Sequence, residues 1–307
     1  MNWFFIVGPT ATGKSELAAE IAQRTGAEII SADAFQIYRG LDLLTAKPES
    51  AVLAKAPHHL IGALPLSEVM NAEKFRTAAM EAVRDIHARA KLAIIVGGCG
   101  LYIKALTHGL SELPAANPKL RAQLEGETTA QLFARLRALD PPSADRIDSK
   151  NKHRLLRAVE VCLLSGRPFS VQRIDWNHAS PRACTAGITP NGIFIFRERA
   201  ELYERINRRV EAIFAKGVVD EVRRIGEVGP TAEKALGFRE IRSLLAGEIS
   251  EPVCIARIQQ ATRRYAKRQL TWFQRQTNFQ PLNLSLHGSA EAIESIAQNV
   301  ARLCANG

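Results

Sequence analysis

The chain has 307 residues, 46% apolar and 23% charged, a composition that excludes a disordered or fibrous protein and allows a sizeable core. Lys and Arg outnumber Asp and Glu by 41 to 31, a formal charge of +10 that suits a polyanionic partner such as nucleic acid as well as it suits an ordinary basic enzyme. Five scattered cysteines (Cys99, Cys162, Cys184, Cys254, Cys304) without a C-x-x-C pair exclude a disulfide framework and a thiolate zinc site, and point to a reduced, cytoplasmic chain. Read from its start, "WFFIV" is a short buried-strand run ending at Gly8, and "KSELAAEIAQRTG" spaces Leu17 and Ile21 as a helix stopped by Gly26. "AEIIS" reads as a second strand, 71–90 as an amphipathic helix, and "LAIIV" as a third strand that runs into "GGCG" and the helix "LYIKALTHG".

Strands alternating with helices predict an α/β fold with a parallel sheet, ligands binding outside its carboxyl edge. From 112 to 190 the strand signal fades, and "LPAANP" and "DPPSAD" punctuate helical segments at 131–139 and 151–165. This stretch reads as a helical insertion domain between core segments 1–111 and 191–307. "GIFIF" restores a strand, and a charged helix follows with Leu202, Ile206, Val210 and Ile213 on one face. The chain stays mostly helical to Arg275, with "FQPLNL" as an edge strand and a closing helix from Ser289. No export signal precedes the first strand, and no apolar run nears the roughly 20 residues of a membrane span, so no membrane association is expected.

Gly8, Pro9, Thr10, Ala11, Thr12, Gly13, Lys14 and Ser15 fit G-x-x-x-x-G-K-S in full, seated between a strand and a helix. In such a P-loop, backbone N–H groups converge on a phosphate at a helix N-terminus, Lys14 adds a point charge, and Ser15 is the expected ligand of Mg²⁺. The loop does not say which reaction follows. Phosphoryl-transfer enzymes of this type carry a strand-end carboxylate for the metal, whereas "LAIIV" ends in Gly97-Gly98-Cys99. The fragment "NKHR" lacks the acidic residue of a guanine-specificity motif, which argues against a GTPase. Asp33 does stand just past a strand on the ligand edge; taken alone it reads as a turn or helix-cap residue.

The runs "GPTATGKS", "EIISADAFQIYRGLDLLTAKP", "PHHLI", "FRTAAMEAVRDI", "VGGCGLYIKAL", "HRLLRAVEV", "ELYERINRRV", "GFREI" and "RRYAKRQLTWF", in this order, resemble the tRNA dimethylallyltransferases, also called tRNA isopentenyltransferases, from the first strand to about Arg275. The resemblance implies a P-loop NTPase-like core and transfer of a dimethylallyl group from dimethylallyl diphosphate to N6 of the adenosine 3′ of the anticodon, in tRNAs reading codons that begin with U. An exocyclic adenine amine is a weak nucleophile, so a carboxylate that takes its proton makes chemical sense, and Asp33 is the candidate. The departing diphosphate needs positive charge; besides Lys14 and Mg²⁺ near Ser15, similarity to the family adds Thr10 and Arg209. Arg205 and Arg208 read as a solvated helix face.

The resemblance also implies contacts with the tRNA anticodon stem-loop. Asp33, Ala34, Phe35 and Gln36, with Cys99 in the third-strand loop, are expected to meet a flipped-out adenosine. Arg121 and the run His153, Arg154, Leu155, Leu156, Arg157 belong to the insertion. Lys267, Arg268, Gln269, Leu270, Thr271, Trp272, Phe273 and Gln274 interleave cations with aromatics, as phosphate contact and base stacking require. Two positions depart from the family pattern: Cys99 stands where Thr is usual and Ala34 where Ser is usual, each loss removing a hydroxyl. Cys99 has no placed His or Asp partner and reads as inert. Neighbouring His58 and His59 point to opposite strand faces and read as one core and one surface residue. A monomer is expected, since one chain supplies every catalytic part. A prenyltransferase of free adenine nucleotides and a non-catalytic P-loop RNA-binding protein remain as alternatives.

Overall fold

The computed structural model describes residues 3–173, 191–276 and 278–305. Positions 174–190, which close the expected insertion and include Cys184, lie outside the described residues. The elements run β1 (Trp3–Val7), α1 (Lys14–Thr25), β2 (Glu28–Ser31), α2 (Ser50–Leu53), β3 (His58–His59), α3 (Ala72–Ala88), β4 (Ala93–Gly97) and α4 (Gly100–His108). Five helices follow: α5 (Pro118–Glu125), α6 (Thr129–Leu139), α7 (Pro141–Arg146), α8 (Lys152–Ser165) and α9 (Phe169–Gln172). Then come β5 (Asn191–Phe196), α10 (Arg199–Ala215), α11 (Val218–Arg223), α12 (Phe238–Leu245), α13 (Glu251–Gln274), β6 (Gln280–Asn283) and α14 (Ser289–Ala305).

The strands form one sheet among the described residues, in the order β3-β2-β4-β1-β5-β6, and every pairing is parallel. β1 and β4 are buried along their whole length, because helices cover both faces of a parallel sheet and its strands must be apolar on both sides. Alternate residues feed the two cores. Phe5, Ile30, Ile95 and Phe194 pack toward α3 and the helices after β5, while Phe4, Ile6, Ile29 and Ile94 meet Leu17 and Ile21 of α1 and Ile296 and Val300 of α14.

The chain divides into two compact units, Met1–Thr107 with Cys184–Gly307, and His108–Ala183. The second is helical around its own core of Leu124, Leu132, Leu136, Leu155, Leu156 and Val159. One sequence reading needs correction there. "DPPSAD" is no mere punctuation: Asp140 caps α7 by accepting from the Ser143 N–H, and Pro141 and Pro142 occupy the first turn, where a missing N–H costs nothing and the fixed φ favours the helix.

The histidine pair is also more specific than one core and one surface residue, for both are half-buried. His59 Nε2 lies 2.8 Å from Glu28 Oε2, which Arg89 also approaches, while Lys91 approaches Oε1. The Arg89 bonds foremost, then His59 and Lys91, overcome burial and hold the Glu28 carboxyl down at about 2. His58 lies on the opposite side and lines the main cavity; burial lowers its pKa.

Candidate active site

At the carboxyl edge of the sheet lies a cavity of about 350 Å³. The P-loop forms one wall. Gly8 begins it at φ 152°, and a Cβ there would sit 2.1 Å from the Ile195 carbonyl oxygen of β5, so no other residue fits between β1 and its neighbour. Gly13, at φ 96°, turns the chain into α1. Lys14 Nζ donates to the Pro9 carbonyl at 2.5 Å, as does Thr12 Oγ1 at 3.0 Å.

The loop is braced from far along the chain. Arg197, just after β5, donates through Nε to the Thr12 carbonyl at 3.0 Å, and Arg205 of α10 to the Ala11 carbonyl at 2.8 Å. Arg205 and Arg208 also line the cavity. Arg205 is exposed, as a solvated helix face requires, but it is more than that: one turn ahead of Arg209, it also braces the loop. Arg208 remains largely exposed and pairs with Glu204. Arg209 donates to Thr10 Oγ1 at 2.9 Å, which joins the two residues that the family resemblance added to the loop.

Burial lowers the basicity of both main cations. The Lys14 ammonium is pushed down to about 8 by desolvation, against the partial support of Asp33, and Arg209 shifts the same way for the same reason. Cations withdrawn from water with so little compensating charge form a site that an anion would stabilise.

Asp33 stands across the cavity, half-buried, in the turn after β2. Its Oδ1 accepts the Phe35 and Gln36 N–H groups at 2.9 and 3.1 Å, an Asx turn that fixes the carboxylate and leaves Oδ2 without a hydrogen bond among the described residues. A smaller cavity of about 50 Å³ shares Thr10, Asp33, Thr45 and Arg209 with the first and continues past Phe35, Leu44, Ala46 and Tyr265. Cys99 is half-buried nearby, and desolvation pushes its thiol up to about 11, so it stays protonated and is a poor nucleophile.

Among the residues read as RNA-facing, Lys267, Arg268, Thr271 and Gln274 are exposed on one face of α13, and His153 and Arg154 are exposed on α8. Four are corrected, because their positions in the helical repeat turn them inward. Leu155 and Leu156 belong to the core of the second unit, and Phe273 belongs to the main core. Gln269 is buried and reaches the P-loop: its Oε1 accepts from Thr10 N at 2.9 Å while its Nε2 donates to the Gly98 carbonyl at 2.8 Å. A Cβ on Gly98 would lie 2.3 Å from that same Nε2, so "GGCG" stays open for the glutamine. Arg121 and Arg157 both hold the fully buried Glu160, at 2.6 and 2.8 Å, and keep about a third and a quarter of their side chains exposed. Leu270 and Trp272 are half-buried against the main core. Neither the bracing role of Gln269 nor that of Arg205 had a local signal in the sequence.

Among the described residues no three His, Cys, Asp or Glu side chains converge as a metal cage. Ser15 and Asp33, both on the cavity, offer only hard oxygen donors. Such a pair matches Mg²⁺, which takes one or two protein oxygens and completes its shell with water and phosphate.

A parallel α/β sheet carrying a P-loop at its carboxyl edge, with a base-like carboxylate facing it, defines a P-loop NTPase-like protein with an anion site. The IPP transferase family matches residues 36–276, and the chain belongs to it. It is 40% identical to the tRNA dimethylallyltransferase of Akkermansia muciniphila over 94% of this chain and 96% of that one. It is 44% identical to the tRNA dimethylallyltransferase of Halorhodospira halophila over 89% and 90%. The crystal structure of the tRNA isopentenylpyrophosphate transferase of Bacillus halodurans superposes with a TM-score of 0.70 at 31% identity, covering 99% and 97% of the two chains. A eukaryotic dimethylallyltransferase acting on tRNA shares the fold, with a TM-score of 0.78 at 23% identity over 97% of this chain and 80% of that one.

Proposed function

We propose that this chain transfers a dimethylallyl group to tRNA, from dimethylallyl diphosphate to the N6 amine of the adenosine 3′ of the anticodon in tRNAs that read codons beginning with U. Family membership and the relatives' names support the transfer to tRNA. The observation that carries the chemistry is one cavity in which Asp33 faces a wall that holds Lys14 and the bonded pair of Thr10 and Arg209. In the reaction the allylic C–O bond breaks, the N6–C bond forms, the N6 proton passes to Asp33, and diphosphate leaves. Because the allylic carbon takes on cationic character, negative charge grows on the diphosphate as the bond lengthens. Lys14, Arg209 with Thr10, and the loop N–H groups are arranged to bind that charge. When bound, Mg²⁺ would be held by Ser15, with Asp33 within the same cavity, and would neutralise diphosphate charge. Asp33 is preorganised for proton transfer because two amides hold one oxygen and leave the other to the acceptor.

The anticodon stem-loop meets the exposed cations of α13, Lys267 and Arg268, and the exposed His153 and Arg154 of the helical unit. No described helix is long and apolar enough to cross a membrane, and the chain acts in the cytoplasm as a monomer. The test is the mass of the tRNA nucleosides after incubation with dimethylallyl diphosphate. A dimethylallyl gain on the adenosine beside the anticodon is expected; prenylation of free AMP alone, or no gain across an active tRNA panel, would overturn the reading.

A further inference from the structure

We propose that Glu221, outside both cavities, is a positioning residue that sets the acceptor side of the site, an inference that rests on the transferase reading above. The segment 41–47 is one short helical turn: the Thr45 N–H reaches the Leu41 carbonyl at 3.2 Å, and Thr45 Oγ1 bonds the same oxygen at 2.5 Å. Such a turn leaves its first amides without partners. Glu221, from α11, supplies all of them. Its Oε1 accepts from Asp42 N at 2.7 Å and Leu43 N at 2.8 Å, and its Oε2 from Leu44 N at 2.9 Å.

The carboxylate is dedicated to this task. Among the described residues it makes no ion pair, while its neighbours Asp220 and Lys216 pair elsewhere, with Arg223 and Glu49. The turn it holds then presents two carbonyls to the site. Gln36 Nε2 donates to Ala46 O at 3.0 Å and to Thr45 O at 3.4 Å, and the Gln36 N–H is one of the two that fix Asp33. Leu44, Thr45 and Ala46 also wall the smaller cavity together with Asp33 and Phe35. From Glu221 to Asp33 the connections are hydrogen bonds and one short stretch of backbone. The phosphate wall takes no part in them.

The substitution E221Q keeps shape and removes one acceptor, so an amide NH₂ must face one of three donors. The expected result in steady-state assays is a kcat for tRNA prenylation lowered by about tenfold, since small misplacements of reacting groups have costs of this order or larger. The KM for dimethylallyl diphosphate should stay within about twofold, because the P-loop is untouched. Amide hydrogen exchange at Asp42, Leu43 and Leu44, which reads the turn without reference to activity, should accelerate. Freed amides with kcat at the level of the unsubstituted enzyme would overturn the proposal and leave Glu221 a purely structural cap. Transfer absent from the unsubstituted chain would instead overturn the function, and this inference with it. If E221Q is too unstable to assay, E221D retains the charge at shorter reach, and the same division between kcat and KM decides.

Discussion

The two walls of the main cavity are held in opposite ways. The P-loop wall is a local motif whose carbonyls are fastened by distant cations, Arg197 and Arg205, and whose Thr10 is held by Gln269 and Arg209. The facing wall, Asp33 to Lys47, has its amides fastened by carboxylates: Phe35 and Gln36 by Asp33, and Asp42 to Leu44 by Glu221. One wall is thus built to concentrate positive charge and the other to present a base.

The largest test of this division is Asp33→Asn. Transfer should fall by about 10³-fold, within the span of general-base contributions, while binding of inorganic diphosphate, measured by calorimetry, changes little. Equal loss of both would erase the distinction between the walls. Arg209→Gln should act on the other wall, lowering prenylation about 10²-fold as removal of one charge-stabilising donor does, and weakening diphosphate as well.

Lys14 sharpens the contrast through pH. With its free-protein pKa lowered to about 8, the ammonium is intact below that value and is lost as pH rises through it. Diphosphate stabilises the charged form, so affinity should decline by up to about tenfold per pH unit above 8. Lys14→Arg should flatten that profile, because a guanidinium stays charged. The smallest effect concerns RNA. Lys267→Ala or Arg268→Ala should weaken tRNA binding a few-fold and reduce its salt dependence by about one counterion. Arg121→Ala should chiefly lower the melting temperature, because it strips a partner from the buried Glu160.

Much of the fold could be read directly. β1, β2, β4 and β5, the helices at 72–88 and 152–165, and even the edge strand at 280–283 follow from apolar runs and their periodicity. The P-loop was legible because its parts are adjacent in the chain. What escaped the sequence is what depends on helical phase and long separation. Within "KRQLTWFQ" a cationic reading fits the exposed Lys267 and Arg268, yet Gln269 and Phe273 fall on the inner face, and only the fold brings Gln269 to Thr10, 259 residues earlier. Glu221 was invisible for the same reason, since its three amides lie about 178 residues away. In "HRLLR" the two leucines interrupt a charged run because they fill a core.

The order of strands in the sheet also bears on how the protein comes into being at the ribosome. β1 lies between β4 and β5, and α14 packs on α1, so the phosphate loop emerges well before the strand and the helix that support it. The helical unit, closed mostly by neighbours in sequence, can condense early. β1, with one edge unpaired, must wait for β5 at 191–196, and the apolar face of α1 for α14 at 289–305, and this stretch of biosynthesis is where chaperone attention should concentrate.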